Sequence, residues 1–155
     1  MFIFLDIDGV MVPAKSWKSP ELLDDGFAAF SSKATSVLQS IIFENTTIML
    51  TTSHKSNYTI QEWKEIFEKR GIAIKKIECL KNNINNLSRK DEILEWFHTN
   101  KLNEPFVIID DDTSLNSLPN YLKEKLILTS PIIGLTVEHL DSIKEIFNKY
   151  LKLVS

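Results

Sequence analysis

Two carboxylates stand where a buried strand should end. Residues Met1 to Leu5 are apolar, and Asp6, Asp8 and Gly9 follow at once. An apolar run bounded by a turn signal reads as a strand buried on both faces. A carboxylate at the mouth of such a strand carries a heavy desolvation cost unless a cation or a set of donors offsets it. Residues two apart in extended chain point the same way, so Asp6 and Asp8 can converge on one space while Gly9 lets the backbone turn. A metal ion is the natural partner of such a pair, and oxygen ligands suit Mg2+.

The arrangement recurs downstream. Val107-Ile108-Ile109 ends in Asp110, Asp111 and Asp112, and Ile48-Met49-Leu50 ends in Thr51, Thr52 and Ser53. Lys90 opens a helical pattern behind Asn85-Asn86-Leu87-Ser88-Arg89. Each has a plainer explanation. Asp-Gly is a common turn, Asp112 or Ser114 can cap a helix, and Thr51 to Ser53 can be turn residues. Lys90, though, is badly placed against the positive end of a helix dipole, which favours a functional role. His54 and Lys55 read as surface loop residues, and His98 and His139 have no partner pattern. Trp63 and Trp96 fall on apolar helix faces and read as core. Trp17 reads first as packing and second as a stacking surface for a ring.

Strands are expected near 2–7, 46–51, 72–79, 105–110 and 125–129. Between the first two, Ala34, Val37, Leu38, Ile41 and Ile42 keep helical spacing after the capping signal Ser31-Ser32. Thr59-x-x-Glu62 is a capping box ahead of Ile60, Trp63, Ile66 and Phe67, and Gly71 fits the stop. Ser88-x-x-Asp91 caps a helix carrying Ile93, Leu94, Trp96 and Phe97. A last helix from about Thr136 presents Val137, Leu140, Ile143, Ile146, Phe147, Tyr150 and Leu151. Strands alternating with helices imply an α/β fold, a doubly wound, mostly parallel sheet with helices on both faces. Ligands of such sheets bind beyond the carboxyl ends of the strands, where Asp6, Thr51, Asp110 and Asp111 all fall.

The 155 residues can bury about two thirds of the unfolded surface, enough for one core. A single domain over 1–155 is expected, with the weakly periodic stretch 11–30 as a flap over the site. Hydrophobic and charged fractions of 43% and 25% are ordinary for a globular chain. No apolar run approaches the roughly 18 residues of a membrane span, and no basic leader precedes the first strand, so a cytoplasmic location is expected. The lone Cys79 excludes an internal disulfide and reads as core filler. A net charge of −3 weighs against a large nucleic-acid footprint and leaves room for a local basic patch.

Strand-end acids, a strand-end hydroxyl, an isolated lysine and second strand-end acids, in that order from residue 3 to residue 112, resemble the four motifs of the haloacid dehalogenase (HAD) superfamily of Mg2+-dependent phosphohydrolases. Ile133-Gly134-Leu135-Thr136 before an amphipathic helix, and Ser88-Arg89-Lys90 leading into Glu92-Ile93, are similar to the small, cap-poor subgroup typified by the HAD domains of Swiss army knife RNA-repair proteins. The resemblance implies a Rossmann-like, HAD-like domain with no separate cap, and by analogy an open site suited to large or terminal substrates.

It also implies roles. Asp6 is the expected nucleophile, forming an aspartyl-phosphate and ligating Mg2+ through its other oxygen. Asp8 is the acid and base, its backbone carbonyl a metal ligand. Ile7 and Gly9 line the phosphate beside them, Thr51 and Thr52 donate to it, and Lys90 neutralises it and steadies Asp6. Asp110 and Asp111 complete the metal site, with Asp111 favoured as the direct ligand. The expected partner is a phosphorylated substrate, either a small molecule or a nucleic-acid end, and no membrane. A receiver-like phospho-accepting module shares an acidic strand end, a Thr and a Lys, but its phosphorylated Asp follows the third strand, where Ile77-Glu78-Cys79 supplies none. A non-catalytic phosphate-binding domain is the remaining alternative.

Overall fold

The computed structural model describes residues 1–14 and 18–154, the side chains of 150–154 excepted. Lys15 and Trp17 lie outside the described residues, as do the side chains of Tyr150 and Leu151. Five strands, β1 (Phe2–Leu5), β2 (Thr47–Leu50), β3 (Lys76–Cys79), β4 (Phe106–Asp110) and β5 (Leu126–Leu128), form one sheet in the order β3-β2-β1-β4-β5. Every pairing is parallel. The strands are shorter than expected at their ends, β3 most of all. Lys76 and Glu78 on this edge strand face solvent while Ile77 is buried, so only a short half-buried ladder forms.

Alternation along the strands divides the core. Ile3, Leu5, Ile48, Leu50, Val107 and Ile109 face one apolar cluster, which includes Val37, Leu38 and Ile41 of α1 (Ser32–Ile41), Trp63, Ile66 and Phe67 of α2 (Ile60–Lys69) and Ile143 and Ile146 of α5 (Leu140–Val154). Phe4, Met49 and Ile108 face the other, with Ile93 of α3 (Arg89–Thr99), Leu115 and Leu118 around the 3-10 turn Thr113–Ser117, and Leu122 of the short α4 (Asn120–Lys123). Helices on both faces make the sheet doubly wound, as the periodicities imply. Trp63 is fully buried, and Trp96 packs edge-on to Phe4 with ring centroids 5.1 Å apart.

The caps act as read. Ser31 accepts from the Ala34 amide, Thr59 and Glu62 close the capping box of α2, and Ser88 accepts from the Asp91 amide. The last helix starts later than expected, behind the 3-10 turn Val137–His139, where His139 Nδ1 accepts the Thr136 amide. No helix of the described residues is long and apolar enough to cross a membrane.

Between β1 and α1 the described residues carry two isolated bridges, Asp8 with Val12 and Leu22 with Ala28, and no cap domain. Val10, Met11 and Val12 are core residues, so the start of the 11–30 stretch belongs to the domain body. The Leu22–Ala28 hairpin is anchored by Arg70. This buried guanidinium bonds both oxygens of Asp25 at 2.7 and 3.0 Å, donates to the carbonyls of Ile66, Phe27 and Ala28, and lies 5.5 and 5.1 Å from the Phe27 and Phe30 rings. Hydrogen bonds from Arg70 hold the Asp25 carboxyl below its ordinary pKa.

Candidate active site

Register creates the site. Leu5 pairs with Leu50 on one side and Ile109 on the other, so the next residues, Asp6, Thr51 and Asp110, come level at the carboxyl edge of adjacent strands. The ladder continues one step, with the Asp6 amide donating to the Ile109 carbonyl and the Thr51 amide to the Leu5 carbonyl. β1 is also where the winding reverses, since the chain leaves it for β2 and returns to β4 on its other side. That switch point opens the crevice in which such sheets bind ligands.

Asp6 and Asp110 are buried, and with Asp111 they bring three carboxylate oxygens within 4.8 Å of one another. Arg89 at the start of α3 is the cation that meets them. Its Nη1 is 2.7 Å from Asp110 Oδ2, 3.1 Å from Thr51 Oγ1 and 3.4 Å from Asp6 Oδ1. Burial works against the guanidinium charge, but Asp110, Asp6 and Glu92 outweigh it and hold its pKa above the ordinary value. One cation does not balance the cluster. Burial, then the Asp110 charge, push Asp6 up to about 8, against the pull of Arg89. Burial raises Asp110 as well, again opposed by Arg89.

Both Asp110 oxygens are committed, Oδ2 to Arg89 and Thr51 and Oδ1 to the Asp112 amide. Asp111 brings a carboxylate oxygen within 4.8 Å of Asp6 and lies over the bare α-carbon of Gly9. Asp112 caps the following 3-10 turn through the Ser114 amide, which is the plain role open to it in the sequence. Ile7 buries its side chain, and its carbonyl takes the amides of Val10, Met11 and Val12, curling the loop that presents Asp8 and Gly9. The Gly134 segment supports this loop from behind. Gly134 has φ +76°, a Cβ there would meet the Val10 carbonyl oxygen at 2.5 Å, and Leu135 donates to that oxygen.

Asp8 stands apart from the three carboxylates. Its Oδ2 meets His54 Nε2 at 2.8 Å. Thr52 is buried, its hydroxyl accepting the His54 amide. Lys90 is half-exposed and makes no hydrogen bond or ion pair among the described residues. Arg89, one position earlier, points into the cluster because α3 rotates successive residues by about 100°.

Of the two residues read as surface loop, one is not. Lys55 is buried and pairs with Glu92 at 2.8 Å, while Glu92 Oε1 lies 3.7 Å from Arg89 Nε, so Glu92 steadies two cations behind the site. His54 is partly exposed but committed to Asp8. Their one sequence signal was proximity to Thr51. Cys79 is half-buried at the β3 end, where burial pushes its thiol up.

The chemistry open to this arrangement is that of a buried carboxyl able to attack or to ligate only once it is ionised, beside further carboxylates, a guanidinium and an exposed acid. The model of the family described as the HAD domain in Swiss Army Knife RNA repair proteins matches residues 2–140. The chain belongs to that family. No curated protein and no solved structure matches it. As a HAD domain, it has a fold and a strand-end acidic cluster consistent with phosphohydrolase chemistry. Membership sets aside the receiver-like reading, and β3 here ends in Cys79, followed by Leu80, with no acid to phosphorylate.

Proposed function

We propose that this HAD domain is a Mg2+-dependent phosphomonoesterase acting through a phosphorylated Asp6. The observation that carries the reading is the level placement of Asp6, Thr51 and Asp110 with Arg89 bridging the two acids. An oxygen-only donor set with excess negative charge fits a hard divalent cation. Asp6 and Asp111 would hold the ion, with the Asp8 backbone carbonyl, while Asp110 stays bonded to Arg89 and Thr51. When bound, Mg2+ supplies positive charge to the phosphoryl oxygens and favours the ionised form of Asp6.

The chain's own groups then divide the work. The Asp6 carboxylate bonds to phosphorus as the ester P–O bond breaks, and the Asp8 carboxyl gives its proton to the departing oxygen. In the second half, Asp8 takes a proton from a water whose oxygen bonds to phosphorus, the bond to Asp6 breaks, and inorganic phosphate leaves with Asp8 protonated again. Arg89 offsets charge on the phosphoryl group and holds Asp6 in line, the role the resemblance implied for Lys90. Thr51 and Thr52, both buried, shape the strand end behind it.

The family description names RNA repair, which supports a nucleic-acid end phosphate as the first substrate to try; a cytoplasmic setting is part of the same reading. The test is phosphate release with and without Mg2+ over aryl phosphates, mononucleotides, sugar phosphates and end-phosphorylated oligonucleotides. Turnover should need Mg2+ and vanish in Asp6→Asn, since a carboxamide is a poor nucleophile and ligand. Near wild-type rates in Asp6→Asn would overturn the reading.

A further inference from the structure

Asp8 is the most exposed group of the proposed machinery. Its side chain is 59% exposed, on the loop that turns away from β1. An acid and base must nevertheless meet a leaving oxygen on one side and a water on the same line, and a displacement of about 1 Å can cost roughly 100-fold in rate. Its one side-chain hydrogen bond among the described residues runs 46 residues along the chain to His54, Nε2 to Oδ2 at 2.8 Å.

His54 is itself held from two directions. It lies in the 3-10 turn Ser53–Asn57, directly after the Thr51 strand end, and its amide donates to Thr52 Oγ1 at 3.3 Å. Its ring stands edge-on to Phe27, centroids 5.5 Å apart and planes at 88°. Phe27 is buried, packs edge-on to Tyr58 and Trp63, and lies beside the Arg70 guanidinium. The chain from Arg70 through Phe27 to His54 therefore ends on Asp8. An ordinary exposed ion pair contributes little and needs no such backing. Here both ends are specified: the imidazole by the hairpin and the capped turn, the carboxyl by the imidazole.

Resting on the phosphatase reading, we propose that His54 is a positioning residue: its Nε2 fixes the Oδ2 oxygen of Asp8, leaving the other oxygen to face the leaving group and the attacking water. His54 then acts through Asp8 and touches neither phosphate nor metal.

The experiment measures kcat and KM at saturating Mg2+ over aryl phosphates of graded leaving-group basicity, for wild type, His54→Ala, His54→Asn, His54→Gln, Asp8→Asn and the double variant His54→Ala/Asp8→Asn. Melting temperatures show that each is folded. A glutamine amide nitrogen can stand near the Nε2 position, whereas that of asparagine stands near Nδ1. His54→Ala and His54→Asn should lower kcat by about 10- to 100-fold with KM little changed, most for the poorest leaving groups, and His54→Gln should recover much of the loss. With Asp8→Asn present, adding His54→Ala should cost less than about twofold, because coupled groups are not additive. A wild-type kcat in His54→Ala, an equal loss for all leaving groups, or a full extra loss in the double variant would overturn the role while leaving the phosphatase reading intact. Wild-type protein without Asp6-dependent turnover would sink both.

Discussion

The α-carbon of Gly9 lies against the Asp111 carboxylate so closely that a Cβ there would stand 2.1 Å from Asp111 Oδ2. Gly9 also has φ +79°, and its carbonyl accepts the buried Thr129 hydroxyl at 2.7 Å. The loop that carries Asp8 and the Asp111 carboxylate thus share one contact, and only a missing side chain permits it. Gly9→Ala should displace Asp111, cost about 1 kcal/mol or more in backbone strain, and blunt the rise in melting temperature on adding Mg2+. Thermal melts with and without Mg2+ check this; an unchanged response would separate Asp111 from the metal.

Arg89 and Lys90 are adjacent and should behave differently. Arg89→Ala removes the cation bridging Asp6 and Asp110, and should lower kcat by about 100-fold or more, in the range seen when a donor to developing charge is lost. Lys90→Ala should stay within about threefold of wild type, since no group of the cluster bonds Lys90. Steady-state rates of the two variants decide between them, and the reverse pattern would restore Lys90 to the site.

Metal-free stability should fall with rising pH. The folded state holds the Asp6 proton to about pH 8, mainly through burial, while an unfolded aspartate releases it near pH 4. Between those values the folded protein binds more protons, so the free energy of unfolding falls as pH rises. Asp6→Asn should flatten that slope, and saturating Mg2+ should largely cancel it. Chemical denaturation at pH 5 and pH 8, with and without Mg2+, provides the check; a metal-free wild type equally stable at both would count against the buried acid pair.

Arg70 anchors the hairpin that backs His54, and its side chain is only 2% exposed. Arg70→Ala leaves Asp25, which is exposed, and three carbonyls without their donor and should destabilise the fold by about 1–3 kcal/mol. The part due to Asp25 is present above about pH 4 and is lost as pH falls through its lowered pKa, so Asp25→Asn should be closest to wild type in acid. Denaturation midpoints at two pH values test the pair.

No cap covers the strand ends among the described residues, so small esters have little remote surface to grip. A nucleic-acid substrate predicts kcat/KM that rises with oligonucleotide length and falls at high salt. A flat length dependence would leave a small-molecule phosphatase with an open site. Lys55 is not among the surface cations available to such a substrate, because its ammonium is buried against Glu92.

The sequence by itself determined the alternation of strand and helix, the three caps at Ser31, Thr59 and Ser88, and the strand ends carrying Asp6, Thr51 and Asp110, because each is a local pattern of polarity or capping chemistry within a few residues. It could not determine which side chains meet across those ends. Parallel register decided that Asp6, Thr51 and Asp110 are level, and the rotation of one residue along α3 decided that Arg89 rather than Lys90 enters the cluster. Packing also made Lys55 a buried partner of Glu92 and His54 the partner of Asp8, pairings 37 and 46 residues apart. In a sequence these are only a lysine and a histidine after a turn. Charge and hydrogen-bonding groups act over a few ångströms of space, and the distances that govern them exist only once the sheet has brought its strand ends together.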